Sequence, residues 1–354
     1  MVNERNGSTP ALVSVVICVY NNWPDAEMTI ESALQQSYQP VEVIVIDNSS
    51  TDATPEKVPR RFGRRVRYLR QTNKGDAGAY NAGFDLAKGE FIQFVDGDDV
   101  LAPNKLQKQV ELFRADPALD IVYGDVRKFQ AMAGVADWKD LAMQPCGDML
   151  GKLAAPEGIW IDTLGVLFRR RALEKVGRWH EGMYVADLDY WLRAAWAGCR
   201  FGHCPGVPMG FSRQRPGQMT GNATSMARGE EAVWDKALGY VTREPYRSLI
   251  AAKLARLRFN MAHAGDWQSR QEALAMLALA KSTHPQTISA TAHAIGYALI
   301  VLPGLAKLAR SRWLRPVRLI LAPLFHFGRP GFSRRNGRSC GAGVERTAPS
   351  TTAE

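Results

Sequence analysis

Apolar positions come in two rhythms along the first half of the chain. Val13 to Val19 is a nearly unbroken β-branched run, which predicts a strand buried on both faces. Pro24 to Gln36 reads as a helix, with Asp25 and Glu27 in its first turn and Ala26, Ile30, Ala33 and Leu34 on its apolar side. Val41 to Ile46 predicts a second buried strand, Val66 to Leu69 a short third, and Phe91 to Val95 a fourth. Between the last two, Ala77 to Lys88 is a small-residue helix that stops at Gly89. Such alternation predicts βαβ units and a mostly parallel sheet.

Farther on, Lys105 to Ala115 reads as a helix, Ile121 to Gly124 as a strand, and Phe129 to Pro156 as an irregular loop. Ile159 to Arg169 has strand character, Arg170 to Val176 is a short helix, and Asp187 to Ala197 is helical, with Leu188, Trp191, Leu192 and Ala195 on one face. Phe201 to Phe211 is strand-like but interrupted by Pro205 and Pro208. From Met226 to about Lys281 the pattern is helical, and a boundary is expected within 221–230. No internal repeat is visible.

Two of the strands run into acidic clusters. Val41 to Ile46 leads into Asp47-Asn48-Ser49-Ser50-Thr51-Asp52, and Phe91 to Val95 leads into Asp96-Gly97-Asp98-Asp99. Like charges so close repel one another, and burying them unpaired is costly. A divalent cation relieves that conflict, and all-oxygen ligands suit Mg²⁺ or Mn²⁺. A polar turn before the next helix accounts for the second cluster equally well when it is taken alone. In parallel sheets, however, ligands collect at the carboxyl ends of the strands, where both clusters fall.

Charge changes the picture only at the far end. The 354 residues carry a formal net charge of +10, but 273–344 contain no Asp or Glu and ten Lys and Arg; without those ten the chain is neutral. The stretch 288–306 is apolar and uncharged, close to the length of a membrane span, and is followed by Trp, Leu and Phe interleaved with Arg310, Arg312, Arg315 and Arg318. This mixture reads as helices lying in a membrane interface, and its apolar content is too high for a nucleic-acid-binding tail. An Arg-rich helical subdomain is the other reading. Five scattered cysteines without a CxxC pair point to a reducing compartment, and the polar first ten residues offer no apolar export segment. Cys199, His203 and Cys204 fit no zinc spacing.

Several segments together resemble the family 2 glycosyltransferases. They are Val15-Val-Ile-Cys-Val-Tyr-Asn21, Ser32-Ala-Leu-Gln-Gln-Ser37, Val43 through Asp52, Asn73-Lys-Gly75, Asn81-Ala-Gly83 and Gly89 through Asp99, in order and at the family's spacing. The resemblance covers roughly residues 12 to 220. It implies a GT-A fold, a Rossmann-like, mostly parallel α/β sheet flanked by helices. It also implies an inverting transfer from a nucleotide-diphosphate sugar assisted by a divalent cation, Mg²⁺ or Mn²⁺. The expected organisation is a disordered 1–11, a GT-A domain over 12–225, a helical and membrane-interfacial 226–330, and a disordered 331–354.

The resemblance also implies roles. Asp47 would accept hydrogen bonds from the base, beside Asn48 where the family often has Asp, with Tyr20 and Asn21 lining the same pocket. Asp96 would reach the ribose, Asp98 the metal, and Asp99 would be a second metal ligand. The segment Val185-Ala-Asp-Leu-Asp-Tyr-Trp-Leu-Arg193 matches the family's acidic helix start. It places the catalytic base at Asp187, with Ala186 in place of the usual Glu and Asp189 as the nearest competitor. A helix cap is the plainer role for Asp187. Arg215 stands where the family usually has His in a loop closing over the donor phosphates, with Arg213 nearby, while Lys74 and Arg70 are weaker phosphate candidates. The processive synthases' Gln-x-x-Arg-Trp signature is missing, so single-sugar transfer is expected. The expected acceptor is a lipid-linked or cell-surface glycan, and the expected location is the cytoplasm, peripherally on the inner face of the membrane. A catalytically silent nucleotide-sugar-binding protein and a nucleotidyltransferase are the alternatives, although Tyr20 to Pro24 does not form a Gly-rich phosphate loop.

Overall fold

A computed structural model of the protein describes residues 10–129, 147–155, 158–215, 217–263, 270–284 and 286. The chain opens with β1 (Val13–Val19), α1 (Asp25–Leu34), β2 (Val41–Asp47), α2 (Thr54–Phe62), β3 (Arg67–Arg70), α3 (Gly75–Leu86) and β4 (Phe91–Asp96). It continues through β5 (Val100–Leu101), α4 (Lys105–Ala115), β6 (Ile121–Gly124), β7 (Val126–Phe129), α5 (Met149–Ala154), β8 (Val166–Arg169), α6 (Arg170–Val176) and α7 (Ala186–Trp196). Then follow β9 (Phe201–Cys204), β10 (Gly210–Arg213), α8 (Ala223–Tyr240), α9 (Tyr246–His263) and α10 (Arg270–Thr283).

The main sheet has seven strands in the order β3-β2-β1-β4-β8-β6-β9. The first four are parallel, β8 runs antiparallel between β4 and β6, and β9 returns parallel to β6. This is the expected α/β fold with a mostly parallel sheet. Both faces of β1 are buried: Val16 and Cys18 enter one core, while Val13, Val15, Ile17 and Val19 enter the other. That two-sided burial is why the strand reads as a continuous apolar run. Register then places the functional edge. Val19 pairs with Asp47 and Cys18 with Asp96, so β1, β2 and β4 end side by side.

Three expectations change. Phe201 to Phe211 is two strands in two sheets, because Pro205 and Pro208 cannot continue the β9 ladder; β10 joins β5 and β7 in a separate three-stranded sheet. Within 159–169 only β8 is a strand, preceded by a tight turn at Thr163–Gly165 in which Asp162 accepts the Leu164 N–H (3.0 Å). The expected irregular loop contains α5, whose N-cap Asp148 accepts the Gly151 N–H (3.1 Å); residues 130–146 lie outside the described residues.

Helices α8 and α9 do not form a separate core. Val233, Trp234, Ala237, Val241, Ile250 and Leu254 lie in the same buried cluster as Val16, Phe94, Trp179 and Trp191. Among the described residues no helix is long and apolar enough to cross a membrane. The apolar and basic stretches expected at the membrane, at 288–306 and 310–338, lie outside the described residues, as do most of the termini expected to be disordered. Cys18, Cys199 and Cys204 are free and buried. His203 on β9 packs against the Tyr123 ring, with centroids 5.1 Å apart, as a core residue does.

Candidate active site

The turn after β4 is built by close approach. A Cβ at Gly97 would lie 2.7 Å from the Cys18 carbonyl oxygen and 2.7 Å from Val19 Cγ1, so only glycine lets the turn fold back against β1. Asp96, half-buried, accepts a hydrogen bond from the Tyr80 hydroxyl (2.5 Å). Its carboxyl is pushed well above the usual range, first by burial and then by the charges of Asp76 and Asp99. Asp99 is raised likewise by burial and by Asp98 and Asp162. Asp76 in the first turn of α3 is also raised, by burial and by Asp98.

The charges of Asp76, Asp96, Asp98 and Asp99 act on one another. That donor set fits a hard divalent cation. Among the described residues no three His, Cys, Asp and Glu side chains form a metal cage by themselves, and diphosphate oxygens ordinarily complete such a site. Asp98 is the member of the turn that carries a cationic partner, its Oδ2 bonded to Arg215 Nη2. Asp99 is buried and its Oδ1 accepts the backbone N–H of Arg213 (2.9 Å), which fastens β10 to the turn. Arg213 and Arg215 are therefore brought onto the Asp98 turn, and both also reach Asp25 on α1.

The β2 end is organised differently from the expectation. Asp47 is 0% exposed, with Oδ1 accepting the Ser50 N–H (2.7 Å) and Oδ2 the Tyr68 hydroxyl. Its oxygens hold the loop after β2 and are not turned to the cleft. Asn48 is also buried, donating to the Gly75 carbonyl (3.0 Å) and accepting from Gln71 Nε2 (2.8 Å). Asn21, at φ 51°, uses its Oδ1 to accept the N–H groups of Thr51 (2.7 Å) and Asp52 (3.2 Å), tying the loops after β1 and β2 together. Tyr20 beside it is 48% exposed and presents its ring to solvent. Arg70 donates to the Ser50 carbonyl (2.8 Å) and so braces that loop, whereas Lys74 is exposed at the start of α3.

Asp187 lies within the first turn of α7, past the N-cap Val185, and its Oδ1 accepts the Leu188 N–H (2.8 Å). Its carboxyl is pushed up to about 7, above all by burial, with Asp162 and Glu230 adding to the rise against the backbone bonds that lower it. Asp189 has the opposite surroundings. It is 1% exposed and receives Lys236 (2.9 Å) and Arg193 (2.8 Å), with His180 Nδ1 2.7 Å away. Although burial alone would raise it, those cations hold its carboxyl below the usual range. Asp189 is thus the anion of a buried ion cluster, whereas Asp187 makes no ion pair among the described residues.

Asp162 links the turn after β4 to the start of α7, because its charge acts on both Asp99 and Asp187. Two residues before it, Trp160 is 50% exposed, while Ile161 between them is buried. Sequence reasoning missed Asp25, Asp76, Tyr80 and Asp162. A lone acid in the apolar run 159–169 was the available signal for Asp162.

Residues 14–177 match the family described as Glycosyl transferase family 2. Over that stretch the chain is similar to the family 2 glycosyltransferases. An uncharacterised glycosyltransferase of Nostoc sp. is 28% identical over 177 residues, 46% of this chain and 52% of that protein. The succinoglycan biosynthesis protein ExoO of Rhizobium meliloti is 33% identical over 216 residues, 55% of this chain and 58% of that one. The chain therefore spans little more than half the length of these curated relatives. Two solved structures share its GT-A fold. Staphylococcus aureus TarS with UDP-GlcNAc has a TM-score of 0.59 at 16% identity, over 77% of this chain and 82% of that one. The Pyrobaculum calidifontis mannosyltransferase PcManGT with GDP-Man and Mn²⁺ has a TM-score of 0.53 at 22% identity, over 90% and 86%.

Proposed function

We propose that this domain transfers a sugar from a nucleotide-diphosphate donor to an acceptor hydroxyl with inversion, by direct displacement. The observation that carries the reading is the presence of two kinds of carboxylate, linked through the charge of Asp162. In a crowded set, Asp96, Asp98 and Asp99 after β4 with Asp76 on α3, the charges act on one another, and a single carboxyl pushed up to about 7 lies at the start of α7. The first suits a cation and a diphosphate, and the second suits a base working at neutral pH.

In this reading Tyr20 covers the base of the nucleotide, in a pocket whose walls Asp47, Asn21 and Asn48 hold in shape. Asp96, steadied by Tyr80, faces the ribose. Asp98 holds the divalent cation, which supplies charge neutralisation at the departing diphosphate. Asp99 keeps β10 in place behind it. Arg213 and Arg215 face the phosphates with planar donors. Asp187 takes the proton from the attacking hydroxyl, whose oxygen then bonds to the anomeric carbon as the diphosphate leaves. Trp160 offers an exposed aromatic face to an acceptor sugar. The acceptor we propose is a lipid-linked or surface glycan, reached from the cytoplasmic face of a membrane through the basic, apolar stretch at 288–338.

The experiment is nucleotide release from a panel of nucleotide sugars with Mn²⁺, measured for the wild type, Asp98→Asn and Asp187→Asn. Release from at least one donor by the wild type and its loss in Asp98→Asn are expected. Equal release by both, or none by the wild type across the panel, overturns the reading.

A further inference from the structure

Arg215 sits on Asp98, the carboxylate proposed above as the cation's ligand. Its Nη2 is bonded to Asp98 Oδ2, and its Nη1 lies 3.5 Å from Asp25 Oδ2. Arg213 sits on the same two acidic segments in a different way. Its Nη2 is 3.2 Å from Asp25 Oδ1, and its Nε donates to the Asp98 carbonyl (3.2 Å). Its guanidinium is packed over the Phe129 ring, 4.7 Å from the centroid. The two arginines also differ in freedom: the Arg213 side chain is 11% exposed and that of Arg215 38%. One arm of the clamp is packed into the protein, and the other is laid across the site.

We infer that Arg215 is the resting counter-ion of Asp98 and excludes a divalent cation from it until a diphosphate is present to take the guanidinium. The inference rests on the donor-site reading above. A guanidinium and a divalent ion cannot share one carboxylate oxygen without strong mutual repulsion. Arg215 must therefore leave Oδ2 of Asp98 when the metal takes that oxygen, and an unpaired guanidinium beside a cation is unfavourable. A diphosphate resolves this, because it accepts bidentate hydrogen bonds from arginine and oxygen-ligates the same metal. Asp25 acts as the positioning residue, keeping both guanidiniums beside the turn while Arg215 changes partners. Metal and nucleotide consequently bind as a coupled pair, each strengthening the other by the same factor.

The test is direct titration of the full chain with Mn²⁺, following the free ion by its electron paramagnetic resonance signal. The proteins are the wild type, Arg215→Gln and Arg215→Lys, each with and without UDP or GDP. With Mn²⁺ alone, Arg215→Gln binds about fivefold tighter than the wild type, the size of one part-exposed ion pair. Arg215→Lys keeps the charge and stays near the wild type. Adding a nucleoside diphosphate tightens Mn²⁺ on the wild type and does so less on Arg215→Gln. If Arg215→Gln binds Mn²⁺ alone no tighter, while the wild type binds it well beside a nucleoside diphosphate, the inference fails and the donor site stands. If no protein binds Mn²⁺ with either nucleotide, the donor-site reading fails and the inference with it.

Discussion

Replacing Asp187 by Asn separates what that carboxyl does for catalysis from what it does to the fold. A carboxyl moved from 3.8 to about 7 corresponds to about 4 kcal/mol disfavouring its charged form in the native state. The sign follows from the direction. The folded-state value lies above the unfolded one, so the native protein loses stability as pH rises from about 4 to about 7, and the penalty is complete above that. Asn is neutral throughout and can still accept the Leu188 N–H, so the variant escapes the penalty. Because the side chain is partly exposed, we discount the gain to about 2 kcal/mol at pH 8, or roughly 5 °C in melting temperature, vanishing near pH 4. Transfer should fall by about 10²- to 10⁴-fold in the same variant. Thermal melts at pH 4 and pH 8, run beside a transfer assay, check both. A variant less stable than the wild type at pH 8, or unchanged at both pH values, refutes the claim that the fold strains this carboxylate.

Asp189→Ala should act in the opposite direction. It strands Arg193 and Lys236 around a buried vacancy and costs about 3–5 kcal/mol, read as a lower denaturation midpoint in urea with an unchanged slope. Gly97→Ala forces a methyl group against Cys18 and Val19 and should cost about 1–3 kcal/mol by the same measurement, together with weakened nucleotide binding. The full chain should co-sediment with vesicles containing anionic lipid, and a chain ending at Ala273 should not; equal sedimentation removes the membrane proposal.

Strands β1, β2 and β4 were legible because they are buried on both faces or end in acids, and both features show in sequence. The Asp96 to Asp99 turn and the start of α7 were legible for the same reason. Partnerships were not. Asp25 announced itself as a first-turn acid of α1, and that sufficient local reason concealed its second use as an anchor for Arg213 and Arg215. Asp47 looked like a ligand contact until Tyr68, far away in sequence, was seen to cover one of its oxygens. Helix α2 escaped notice because Pro55 and Pro59 are helix breakers in general; Pro55 sits in the first turn, where a missing N–H costs nothing. Asp187 and Asp189 lie two residues apart and so face different sides of α7. Only packing reveals which side carries the cations.

The central claim is that Asp187 is the base of a glycosyl transfer, and the pH dependence of kcat/KM tests it most directly. With a turned-over donor and acceptor, kcat/KM should rise with unit slope and level off around a midpoint near pH 7, the value at which Asp187 loses its proton. Asp162→Asn keeps the bond to the Leu164 N–H while removing a neighbouring negative charge, so its midpoint should fall by about half a pH unit. A profile that is flat from pH 5.5 to pH 8 for the wild type, or a midpoint that Asp162→Asn leaves in place, would contradict the account.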